Sequence, residues 1–105
     1  MTGIIRPDYQ AGAGLVDGAG TMNLRAGALT NVTRTGVGVY EISTSGIDAM
    51  ENVVDATAVS SAVETISPNV EIVSDVLIRI RMVVNGALAD RSFYINVNRV
   101  RNVTG

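Results

Sequence analysis

The sequence predicts an all-β protein: an antiparallel β-sandwich or jelly roll (residues 28–105) preceded by an extended Gly-rich N-terminal arm (residues 1–27). Three observations carry this prediction. From Leu29 onward apolar residues recur with a period of two, in segments rich in Val, Ile and Thr. Turn signals, Thr35-Gly36, Ser45-Gly46 and Asn85-Gly86, separate these segments at short intervals. Residues 1–27 hold six of the eleven glycines and show no apolar periodicity. Glycine loses the most backbone entropy on ordering, so that stretch is expected to order only against a partner.

Each element follows in chain order. Thr30, Val32 and Arg34 alternate with Leu29, Asn31 and Thr33 in a first strand. Thr35-Gly36 turns the chain into Val37–Thr44, where Tyr40 and Ile42 share a face, and Ser45-Gly46 closes that strand. Residues 50–66 partly fit a helical spacing at Val53, Val54, Val59, Val63 and Ile66, but their Val, Thr and Ser content favours short strands. In Val70–Val84 the even positions are almost wholly apolar: Val70, Ile72, Val76, Ile78, Ile80, Met82 and Val84. Fifteen residues at about 3.3 Å would span roughly 50 Å, so a bulge or break is expected near Ser74-Asp75. Asn85-Gly86 is a hairpin signal. The segment after it, with Phe93, Ile95 and Val97 on one face, is expected to pair with the long strand.

Composition excludes much chemistry. The eight cations are all Arg; Lys, His, Cys and Trp are absent, and the net charge is −2. The chain therefore offers no thiolate, no imidazole base or ligand, and no Lys for a Schiff base or phosphate loop. The expectation is a non-enzymatic protein without cofactor or metal. A pI near 4.9 argues against a nucleic-acid binder. The Tyr9–Val16 stretch is too short and Gly-rich to span a membrane, and Arg6, Pro7 and Asp8 interrupt anything like a secretory signal. Only 17% of residues are charged, so part of the surface is expected to be covered by other subunits.

The motifs reduce to structure. Gly12-Ala13-Gly14 lacks the third glycine, preceding strand and following helix of a dinucleotide site, which leaves a flexible arm as its reading. Asp48, Glu51 and Asp55 lack calcium-loop spacing and read as solvated loop charges. The Ser and Thr residues have no base to activate them. Arg79 and Arg81 share a face of the long strand, and the expected hairpin sets Arg99 and Arg101 nearby. Glu71, Asp75 or a partner's carboxylates are expected to interleave these cations, since like charges directly opposite repel. Arg is favoured at protein interfaces for its planar, weakly hydrated fork, which makes Arg79, Arg81, Arg99 and Arg101 candidate subunit or capsid contacts.

The segments Asn31-Val32-Thr33-Arg34-Thr35-Gly36-Val37-Gly38-Val39-Tyr40-Glu41-Ile42, Ile78-Arg79-Ile80-Arg81, Asn85-Gly86-Ala87 and Asp90-Arg91-Ser92-Phe93-Tyr94-Ile95-Asn96-Val97 carry a resemblance. Over residues 28–100 the chain resembles the small β-sandwich domains of tailed-bacteriophage virion proteins, namely capsid decoration (cement) proteins and tail-fibre tips. It is also similar to the jelly-roll heads of the complement and tumour-necrosis-factor type. The resemblance implies a homotrimeric virion structural protein that clamps the major capsid protein on the capsid surface, with the arm lying on the shell. Ile4, Ile5 and Tyr9 of the arm are then candidate contacts. The alternative it implies is a fibre or spike tip that binds a host-surface receptor. The length leaves no room for a fibre shaft, and aromatics suited to a sugar site are few, so decoration is favoured.

Overall fold

The computed structural model describes residues 4–47, 52–60 and 63–103, with side chains at 12–47, 53–60 and 63–98. Nine strands run in chain order: β1 (Ile4–Val16), β2 (Met22–Gly27), β3 (Leu29–Gly36), β4 (Val39–Thr44), β5 (Asn52–Val59), β6 (Ile66–Ser74), β7 (Leu77–Val84), β8 (Ala87–Leu88) and β9 (Ser92–Val103). They form two antiparallel sheets, β2-β1-β9-β5 and β3-β4-β7-β6, with β8 beside the end of β7. The expected β-sandwich is the architecture. The strand order takes it no further toward a jelly roll, since β1–β2, β3–β4 and β6–β7 are hairpins within a sheet.

The core lies where alternating residues of both sheets meet. Val16, Phe93, Ile95 and Val97 come from the first sheet; Val32, Tyr40, Ile42, Ile78, Ile80 and Met82 come from the second, and all are buried. The Tyr40 and Phe93 rings meet edge to face across the layers, with centroids 5.1 Å apart. Residues 52–59 are strand rather than helix. The long apolar run breaks at Asp75-Val76, beside the expected point, because one straight strand would outrun the sandwich. The first turn falls at Val37-Gly38, two residues later than expected. Gly38 has φ +69°, and a Cβ there would lie 2.8 Å from Ala89 N, so glycine is required.

Two expectations are corrected. Residues 4–16 and 22–27 are not an arm beside a domain that begins at 28; they are β1 and β2, with β1 paired to β9 along its length. Their period of two is hidden because inward positions carry glycine. Gly12, Gly14 and Val16 face the core, and the Leu29 side chain packs on the bare backbone, 3.2 Å from where a Cβ of Gly12 or Gly14 would sit. A hydrophobic pattern cannot register a position whose apolar volume comes from a neighbouring strand. The second correction concerns β7, which pairs with β4 and β6 and not with the return strand. Asn85, at φ +51°, and Gly86 do form a hairpin turn, but it returns only through β8 before the chain crosses into the first sheet.

Candidate interaction surface

The outer face of the second sheet is a charge ladder. Glu41 on β4 and Glu71 on β6 stand opposite Arg79 on β7 in adjacent pairings. Arg79 Nε and Nη2 donate to Glu41 Oε2 at 3.0 and 2.8 Å, and its Nη1 donates to Glu71 Oε1 at 3.2 Å. Arg81 Nη1 donates to the same Glu71 oxygen at 3.1 Å and to Asn69 Oδ1 at 3.4 Å. The glutamates hold the Arg79 pKa above its ordinary value, through the Glu41 hydrogen bonds first. Arg79 and Arg81 are thus interleaved by carboxylates of their own chain. Glu71 had been anticipated; Glu41 had not, because only the β4–β7 register puts it there.

The four arginines are not brought together. Arg99 and Arg101 belong to β9, in the other sheet, opposite Tyr9 and Arg6 of β1. The side chains of Arg99, Arg101, Ile4, Ile5 and Tyr9 lie outside the described residues, as do Asp48 and Glu51 altogether. The physical reason is strand count: β4 and β6 already occupy both edges of β7.

The chain's crossing between sheets is tied by a second polar cluster that no motif announced. Asp90 Oδ1 accepts from Gly38 N at 2.7 Å and Arg34 Nε at 3.0 Å, and Oδ2 accepts from Arg34 Nη2 at 2.8 Å. The Arg34 hydrogen bonds, then that of Gly38, hold the Asp90 carboxyl below its ordinary pKa. The buried Tyr40 hydroxyl donates to Gly18 O at 2.8 Å and lies 3.3 Å from Asp90 Oδ1. Burial, then the Asp90 charge, pushes its pKa up to about 12. Next to Asp90, Arg91 Nε donates to Glu64 Oε2 at 2.9 Å, Arg91 Nη2 pairs with Glu64 Oε1, and Ser60 Oγ donates to Oε2 at 2.8 Å. These bonds, Arg91's first, lower the Glu64 pKa to about 2. Asp90-Arg91 is therefore a clasp that fixes β9 against both β3–β4 and the β5–β6 connection.

The outer face of the first sheet differs in kind. One row runs Leu24, Leu15, Tyr94, Thr57 across β2, β1, β9 and β5; the next runs Ala26, Ala13, Asn96, Asp55. Leu24 is 61% exposed and Tyr94 46%. The large residues of the first row overhang the alanines of the second, leaving a hollow of about 230 Å³ lined by Ala13, Leu15, Leu24, Ala26, Tyr94 and Asn96. Asp55 is the one charge of these two rows. Arg25 flanks them on β2, its Nη1 donating to Thr30 O at 2.6 Å. Past Gly12, where β2 ends its pairing, and past Asn52 of β5, β1 and β9 continue as a two-stranded ribbon, Ile4–Pro7 against Val100–Val103.

Among the described residues no group of three or more acidic, His or Cys side chains could hold a metal ion, and no helix is long and apolar enough to cross a membrane. The geometry defines the class, an antiparallel β-sandwich with one ion-paired and one largely uncharged outer face. No family model, curated protein or solved structure matches the chain.

Proposed function

We propose that this chain is a non-enzymatic structural protein of a bacteriophage virion, a decoration protein that binds and reinforces the assembled capsid as a homotrimer. The observation that carries the reading is how its surface is divided. The ionised side chains with displaced pKa values are engaged in strand-to-strand or loop-to-strand ion pairs, as in a scaffold. The outer face of the first sheet and the β1–β9 ribbon are left without a cover among the described residues. An isolated two-stranded ribbon is marginal in water, which favours a protein that completes itself on a larger assembly. Binding to an assembled lattice then stabilises both by mass action.

The test is copurification with capsid shells. The proposal expects a fixed ratio of chain to capsid subunit, and loss of binding when residues 1–10 are removed. That truncation spares Gly12–Val16, which pair with β2 and reach the core, whereas removing residues 1–27 would take two strands from the sheet. Saturable binding to host cells with no association with shells would overturn the proposal in favour of a receptor-binding tip.

A further inference from the structure

We infer that the outer face of the first sheet, continued along the β1–β9 ribbon, is where copies of this chain pack on one another in the homotrimer. The inference rests on the oligomeric reading above and moves the subunit contact away from Arg79 and Arg81.

The size of the face fits. Four strands about 4.8 Å apart and a β5–β9 ladder of eight residues give a footprint of roughly 19 by 26 Å. The ribbon adds roughly 10 by 13 Å. Together these are of the same order as the ~800 Å² that each partner contributes to a standard interface.

The face is also complementary to itself when its two halves are opposed. The β2–β1 half carries the hollow over Ala13 and Ala26, with Arg25 at its margin; the β9–β5 half carries the Tyr94 ring and Asp55. Around a three-fold axis, the β2–β1 half of one copy meets the β9–β5 half of the next. Tyr94 of one copy then enters the hollow of its neighbour, and Asp55 approaches the neighbour's Arg25. Asp55 has no ion pair among the described residues, so this charge is open to a partner. The arrangement is heterologous and closes as a ring. A foreign partner would gain from the same apolar area, but it would not explain why one half carries the counterpart of the other in both shape and charge.

The test is sedimentation equilibrium on the full chain, with circular dichroism to verify the fold. The 11.0 kDa chain is expected at about three times its monomer mass. Leu24→Asp and Tyr94→Asp should each reduce it to the monomer with the strand signal unchanged, since both side chains are exposed. Arg79→Ala with Arg81→Ala should leave the mass intact. Asp55→Arg should weaken association roughly five-fold, and adding Arg25→Asp should restore it. A monomeric wild type, or an unchanged mass in both Asp variants, would overturn the inference. If those variants kept their mass yet lost capsid shells, the inference would fail and the decoration reading would stand. If the wild type assembled but ignored shells, the decoration reading would fail and the inference would stand.

Discussion

The two outer faces of the sandwich rest on one core and meet water in opposite ways. On the second sheet, Glu41, Arg79, Glu71 and Arg81 interlock across β4, β7 and β6, so each charge is answered by a neighbouring strand. On the first sheet, Leu24, Leu15, Tyr94 and the alanines beneath them leave apolar surface facing out. Monomeric proteins seldom expose a large contiguous apolar patch. The contrast teaches that an arginine set is poor evidence of an interface until its counter-ions are located: here they lie within the chain, and the candidate contact is the face with almost no charge.

Substitutions probe this contrast, and the largest effect belongs to the shared core. Ile80→Ala, one residue from Arg79 on β7 but pointing inward, should cost about 2–5 kcal/mol by denaturant unfolding. Tyr40→Phe should cost about 1–3 kcal/mol, because it leaves Gly18 O without its donor at a buried site. The first loss is one of packing and the second one of polar satisfaction; equal values would blur the division drawn here between core and clasp.

Titration gives an intermediate effect with a defined direction. Glu64 ionises near 2 when folded against an ordinary 4.5, so its stabilisation is complete above pH 4.5 and is lost as pH falls toward 2. Asp90 acts in the same direction. Melting temperature should therefore drop across that window, and Glu64→Gln should flatten the drop. Tyr40, raised from 10 to about 12, contributes stability below pH 10 that is lost as pH rises through 12. The smallest effect should come from Arg79→Ala, a slight fall in melting temperature that high salt erases, as for a partly exposed ladder. A large, salt-independent loss would mean that the ladder is a structural pillar and would narrow the difference between the faces.

Much of this architecture was legible in the residues. The alternation in Leu29–Arg34, Tyr40–Ile42 and Ile78–Val84 marks strands because each buries one face, and Asn85-Gly86 marks its turn because both residues take positive φ. What was not legible is which strand lies beside which. Arg79 and Glu41 are 38 residues apart, and only the β4–β7 register makes them partners. Residues 4–16 escaped notice for the opposite reason: Gly12 and Gly14 sit at inward positions and carry no apolar signal, although Leu29 packs on them. The uncharged face could have been found from Leu15, Leu24 and Tyr94 only once β1 was known to lie between β2 and β9.

The central claim is that copies meet through the first sheet. The chain has no cysteine, so introduced pairs report without background. Ala26 and Tyr94 lie two strands apart, about 10 Å, too far for a disulfide within one copy. Oxidation of the Ala26→Cys, Tyr94→Cys variant should link copies into dimers and trimers on a non-reducing gel, while a Thr33→Cys, Asn69→Cys pair on the ion-paired face should stay monomeric. Crosslinking through the Thr33 and Asn69 positions, with none through Ala26 and Tyr94, would contradict the account.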